Sequence, residues 1–257
     1  MEQSLKAKIQ AWSTSPSPFL RTLARSLRAF GYVRRFLVDP RIRSENLTRV
    51  FHRGAHYQGA TYSEPNRYPD LFAACARHLR NTPAPTILSF GCATGEEAFS
   101  LVEAVPNATI IGVDINRWCL RQCAKQNRNP HIRFLHTCSS EFAALVNLDA
   151  IFAMAVFQRS QNRNHTAPLA HGNFTFAKFE QEIARLDAKL KPGGLFFIDH
   201  SDFRFEDTAV AARYTPLDCE GNQFLHDRPL FGRDNKLITT QYTLHRAFVK
   251  QSASRHP

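Results

Sequence analysis

Three short groups of residues in this chain combine types that can do chemistry. The first is FGCATGEE, Phe90 to Glu97, where Gly91 and Gly95 bracket Cys92, Ala93 and Thr94, and the pair Glu96-Glu97 follows. Glycines take positive φ and leave room for a ligand at the backbone, and N–H groups at a helix start favour an anionic group. The second is Asp114, which stands 23 residues after Gly91. An acid about 20 residues beyond such a loop is spaced to accept hydrogen bonds from both ribose hydroxyls of a nucleoside or nucleotide. The third is Asp199-His200-Ser201-Asp202, at the end of the run LKPGGLFFIDHSDF. A histidine among carboxylates is the side chain best suited to take up a proton near neutral pH. Each group has a plainer reading as well: tight strand–helix packing, an exposed loop aspartate, and a hydrogen-bonded surface histidine.

These groups need a scaffold, and the sequence supplies one from Thr86 onward. Apolar runs of strand length alternate with helical periodicity: strand Thr86–Phe90, helix Gly95–Val105, strand Thr109–Asp114, helix Arg117–Gln126, strand His131–His136 and a short helix near Ser139–Leu145. Strand Asp149–Phe157, helix Phe174–Leu190 and strand Leu195–His200 complete the series. Near-continuous apolar strands such as TIIGV, each followed by a helix, predict a parallel α/β sheet covered on both faces. The stretch PLFGRDNKLITTQYTLHRAFV predicts an antiparallel hairpin with its turn at Gly232–Lys236. In open sheets of this kind, ligands bind beyond the carboxyl ends of the strands, and all three groups fall at such ends. The Pro192-Gly193-Gly194 turn lies at the opposite end and is structural.

The first part of the chain differs in character. In FLRTLARSLRAFGYVRRFLV, Leu20, Leu23, Leu27 and Phe30 recur at helical steps, with Arg21, Arg25 and Arg28 on another face. Residues 1–38 hold seven basic residues against Glu2 alone, more than half of the formal charge of +11. Such a helix reads as a cap with a solvated basic face, as a surface for nucleic acid or anionic lipid through residues 19–38, or as a targeting presequence. A polar, Tyr- and His-containing connection and a helix at Asp70–Arg80 follow, so residues 1–80 are expected to form a basic helical segment or lid ahead of a domain over 86–250.

Composition narrows the class. At 43% hydrophobic and 21% charged, the chain is expected to be globular, with no apolar run near the ~18 residues of a membrane span. Six cysteines form no CxxC pair and no zinc-type spacing with histidine, so free thiols in a reducing compartment and no metal are expected. The expected location is cytoplasmic, or an organelle if residues 1–38 act as a presequence.

Taken in order, the glycine loop, the acid Asp114, the strand DAIFAMAVF and the LKPGG turn resemble class I S-adenosylmethionine-dependent methyltransferases over residues 86–200. The resemblance implies a Rossmann-like seven-stranded sheet, mostly parallel with an antiparallel C-terminal hairpin. GCATGEEAFSL followed by VDIN is most similar to the chemotaxis receptor glutamate methyltransferases. The family pattern implies S-adenosylmethionine as cofactor, with Gly91, Cys92, Ala93 and Gly95 near its amino-acid part and Glu96 or Glu97 assisting. It places Asp114, with Ile115 beside it, at the ribose, and lets Arg67 reach the cofactor carboxylate, with Tyr62 and Tyr68 lining the same pocket. The sequence departs from the pattern in Ser89, where many relatives carry an acid, and in HTCSS after strand three, which leaves Cys138, Ser139 or backbone groups for the adenine amine.

The activity implied is methyl transfer to an unidentified small or acidic acceptor at oxygen or nitrogen, with His200 as base or orienting group and His165 and His171 as weaker candidates. Two further readings stand beside it: methylation of a protein side chain in the receptor manner, and a non-catalytic cofactor-binding module that meets nucleic acid or a partner through its basic helix.

Overall fold

The computed structural model describes residues 2–52, 61, 63–159, 167–170, 174–225, 228–241 and 243–252. Residues 1–50 and 51–257 form two compact units. The first holds three helices rather than one: α1 (Glu2–Ser13), α2 (Pro18–Val38) and most of α3 (Pro40–Phe51). Pro18 and Pro40 each open a helix, where a missing N–H costs nothing, and Asp39 Oδ1 accepts from Arg41 N at 2.9 Å to cap α3.

The second unit begins its regular structure with α4 (Pro69–Leu79) and then alternates strand and helix: β1 (Thr86–Phe90), α5 (Glu96–Ala104), β2 (Thr109–Asp114), α6 (Arg117–Gln126), β3 (Ile132–His136), α7 (Ser140–Ala143), β4 (Leu148–Met154), α8 (Phe176–Asp187) and β5 (Leu190–Asp199). Two turns of 3-10 helix lead to β6 (Tyr214–Pro216), followed by β7 (Gln223–Leu225), β8 (Thr243–His245) and β9 (Ala247–Lys250). Seven strands form one sheet in the order β3-β2-β1-β4-β5-β9-β6, with β1 to β5 mutually parallel and β9 antiparallel to both of its neighbours.

Alternation within each strand explains the two cores. Ile87, Ile110, Phe152 and Phe197 face one layer with Leu71 and Phe72 of α4 and Leu101 of α5. Leu88, Ile111, Ile151 and Phe196 face the other with Phe179, Ile183 and Leu186 of α8. Phe152 and Phe197 are register partners on β4 and β5, and their rings stack 4.1 Å apart.

The C-terminal hairpin is where sequence and structure part. The turn forms, with Gly232 N donating to Lys236 O at 2.9 Å and a single bridge between Phe231 and Leu237. Of its flanks, however, only residues 247–249 enter the main sheet, as part of β9. Strand β9 pairs antiparallel with β5 and with β6, the latter joined to it across a long excursion, and β7 with β8 makes a separate two-stranded ribbon. Strand β5 also begins earlier than Leu195, at Leu190, because Pro192-Gly193-Gly194 lies in a bulge between register partners Leu148–Leu190 and Ala150–Leu195.

Candidate functional site

The sheet order reverses between β1 and β4, and the three groups of interest gather beyond the carboxyl ends of the strands around that point. Leaving β1, the chain takes positive φ at Gly91 (78°), Ala93 (48°) and Gly95 (101°). A Cβ on Gly91 would sit 2.6 Å from Val156 Cγ2, so a side chain there meets both strain and a clash. The loop is pinned beneath by Gly91 N and Cys92 N, which donate to Val113 O at 2.7 and 3.0 Å.

Asp114 closes the far side of the loop. Its Oδ2 accepts from Ala93 N at 2.9 Å and its Oδ1 from Asn116 N at 2.7 Å. Burial pushes its carboxyl up to about 6, against the downward pull of backbone N–H groups from Asn116, Ala93 and Ile115. Asn116 then caps α6, accepting from Trp118 N at 2.9 Å. Ile115 O meets His136 Nε2 at 3.0 Å, while His136 Nδ1 accepts from Cys138 N at 3.2 Å. His136 is thereby held with its proton on Nε2, and burial, followed by the nearby Arg117 charge, lowers its basicity. Ser139 is spent on structure: its hydroxyl accepts from Phe142 N at 3.1 Å and caps α7.

The two glutamates separate clearly. Glu96 is bound by the Thr94 hydroxyl at 2.7 Å, local to the loop. Glu97 turns toward β1 instead, where Ser89 Oγ donates to Oε1 at 2.7 Å. Burial raises the Glu97 carboxyl to about 7, opposed by the Ser89 hydrogen bond and the Arg67 charge. The acid missing from β1 is thus replaced in space by one from the first turn of α5. The sequence offered a signal for it, a serine at an expected acid position with glutamate eight residues on. Cys92 contributes backbone only, since its side chain is buried and its thiol is raised by contact with Cys123 and by burial.

Tyr68 joins this acid to the third group. The Arg67 guanidinium lies 5.3 Å from the Tyr68 ring centre, and the His200 ring meets the same ring edge-on at 6.0 Å. The Tyr68 hydroxyl is buried with no hydrogen-bond partner among the described residues. Burial, first of all, makes it a weaker acid and pushes its pKa up, and the charges of Arg67, Asp199, Glu97 and Arg228 also reach it. His200 takes φ 55°, with its N–H donating to Asp199 Oδ1 at 2.6 Å. Its Nδ1 lies 3.0 Å from the same oxygen without a formed hydrogen bond. Burial alone would raise the Asp199 carboxyl; the His200 contacts and Arg246, 3.6 Å away, outweigh it and hold it low. A hollow beside His200 is lined by Ser201, Arg204, Glu206 and His245. His165, His171 and Tyr62 lie outside the described residues.

Residues 87–194 match a family described as a methyltransferase domain. Among curated proteins, trans-aconitate 2-methyltransferase of Rhodopseudomonas palustris (strain BisB18) is 29% identical over 127 residues, covering 49% of this chain and 43% of that protein. The enzyme of that name from strain BisB5 is 36% identical over 72 residues, 28% of this chain and 27% of that one. The chain therefore matches less than half the length of either relative. Among solved structures, a precorrin-6y C5,15-methyltransferase from Geobacter metallireducens GS-15 aligns at TM-score 0.44 and 12% identity, covering 75% of this chain and 94% of that one. The plantazolicin methyltransferase BpumL in complex with SAH aligns at 0.39 and 14%, covering 65% and 56%. The sheet order reversal and the glycine loop at its switch point thus fall within residues 87–194, the stretch that matches the methyltransferase-domain family.

Proposed function

We propose that the chain is an S-adenosylmethionine-dependent methyltransferase acting on a small, acidic acceptor at oxygen or nitrogen. The observation that carries this reading is the loop Gly91–Gly95 locked by the Asp114 carboxylate at the sheet's switch point. The donor set fits the cofactor. Asp114 keeps lone pairs for ribose hydroxyls, Glu97 offers a carboxylate to the methionyl ammonium, and Tyr68 presents an unpartnered buried hydroxyl nearby. Arg67 stands beside Tyr68 for the methionyl carboxylate. When bound, the cofactor supplies an activated methyl group on a sulfonium, so the protein's part is to align the acceptor and dispose of its proton.

His200 is the proposed proton acceptor for a hydroxyl or amine, and Asp199 fixes its ring and stabilises the imidazolium that forms. For a carboxylate acceptor no base is needed, and the same histidine orients the group. Acidic character is supported by the arginines felt at Tyr68, Arg67 and Arg228, and by relatives whose name specifies trans-aconitate. The GCATGEE loop keeps receptor-type side-chain methylation as the second reading.

Incubating the purified chain with methyl-labelled cofactor and separate metabolite, protein and RNA fractions tests the proposal. Label in acidic metabolites is the expected result. Label confined to protein favours the receptor-type reading, and no transfer to any fraction, with salt-sensitive RNA binding, removes catalysis altogether.

A further inference from the structure

The first unit carries a surface that the proposed chemistry does not use. Within residues 1–50, ten basic residues face three acids, a net charge of +7. Helix α2 holds five arginines and no acid. The same unit holds nine of the twelve exposed large hydrophobics among the described residues, so apolar exposure is concentrated where the positive charge is.

The two properties run as separate stripes along α2. Leu20, Leu23, Ala24 and Leu27 form the covered stripe, with Ala24 fully buried. Phe19, Phe30, Val33 and Leu37 recur at steps of eleven, three and four and form an exposed apolar stripe, with Phe19 73%, Phe30 70% and Leu37 64% exposed. Arg21, Arg25, Arg28 and Arg35 form a third, also exposed. Arg28 Nη2 reaches α1 through Gln10 Oε1 at 2.8 Å and Ser13 Oγ at 2.9 Å, which leaves its charge uncompensated.

We infer that α2 docks on the surface of an anionic phospholipid bilayer. A bilayer interface accepts both stripes at once: phenylalanine and aliphatic side chains enter the acyl boundary, and long arginine side chains extend to the phosphates. Among the described residues no helix is long and apolar enough to cross a membrane; a helix with one apolar and one cationic stripe is suited instead to the interface plane. Nucleic acid satisfies the arginines but offers nothing to Val33, Leu37 and Val38. A second copy satisfies the apolar stripe but brings another +7 charge against the first.

Flotation of the full chain with phosphatidylcholine vesicles, with and without about 30% phosphatidylglycerol, tests this. Binding is expected to the anionic vesicles, weakening as salt rises from about 0.05 to about 0.5 M. Replacing Arg21, Arg25 and Arg35 together by glutamine is expected to weaken it about 100-fold. Phe30→Trp gives a readout that needs no loss of binding, a blue-shifted emission with anionic vesicles only. Equal binding to both vesicle types, no binding, or an unshifted Phe30→Trp spectrum overturns the proposal. RNA binding without vesicle binding, or self-association abolished by Phe19→Ser with Phe30→Ser, overturns it in favour of nucleic acid or a second copy.

Discussion

Cofactor affinity is expected to fall in two steps as the solution is acidified, one for each of the carboxylates Glu97 and Asp114 that flank the loop. Both are raised by burial, Glu97 to about 7 and Asp114 to about 6. Only the ionised forms accept charge-assisted hydrogen bonds from an ammonium or from ribose hydroxyls, so the strong contacts are available well above pH 7 and are lost as pH falls through each value. A contact to a charged group contributes roughly 1.5–3 kcal/mol, so each step levels off at a loss of roughly 10- to 150-fold. Asp114→Ala should show that loss already at about pH 8 and keep only the step near 7, while Glu97→Gln should keep only the step near 6. Calorimetry with S-adenosylhomocysteine between about pH 5 and about pH 8, at constant ionic strength, separates these profiles. A wild-type affinity that is flat with pH, or an Asp114→Ala variant that retains both steps, refutes the assignment. The same shift has a sign for the unliganded protein. A raised carboxyl favours the fold in its protonated form, so stability falls as pH rises from 4.5 toward about 7 and the loss is complete above that. Glu97→Gln escapes that cost, and its gain in melting temperature over wild type is expected in full at about pH 8 and absent at about pH 4.

Three further outcomes follow from geometry. His200→Ala is expected to reduce turnover by about 100-fold, the lower range for loss of a general base, with cofactor affinity unchanged by calorimetry; a fully active variant ends its proposed role. Gly91→Ala combines φ 78° with a Cβ 2.6 Å from Val156, and a melting temperature as high as wild type would contradict the loop geometry. Among the thiols, exposed Cys138 should react first with a disulfide reagent and half-buried Cys219 next. Cys75, Cys92, Cys119 and Cys123 should react only on unfolding, and early labelling of any of them argues against their burial.

The central sheet was legible because its strands are apolar on both faces and its helices carry a period of 3.6, signals that need no knowledge of distant contacts. Asp114 was legible for the same reason, since a strand end fixes its place. The Ser89–Glu97 bond was not, because it depends on a loop that turns back through positive φ at Gly91, Ala93 and Gly95 before α5 begins. The C-terminal pairing was hidden more deeply. Strands β6 and β9 are three and four residues long, too short for an alternation to register, and their partner choice is set by tertiary contact alone. His200 was visible as a type in a place, but its edge contact with Tyr68 joins residues far apart in the chain.

The position of β9 has a consequence for how the domain is assembled. It lies inside the sheet, between β5 and β6, yet it follows every other strand among the described residues. Until residues 247–250 arrive, β5 presents an open edge with phenylalanines at 196 and 197, and β6 has no neighbour to join. Arg246, at the entrance to β9, also binds the Asp70 carboxylate and Asp199, so the helix before β1 and the strand end bearing His200 are clasped by the same late-arriving segment. A nascent chain must therefore carry a finished glycine loop for about 130 residues of synthesis before the edge beside His200 is closed, a window of roughly seven to twenty-seven seconds at ordinary elongation rates. During that window the unprotected strand, rather than the active-site chemistry, sets the demand for chaperone protection.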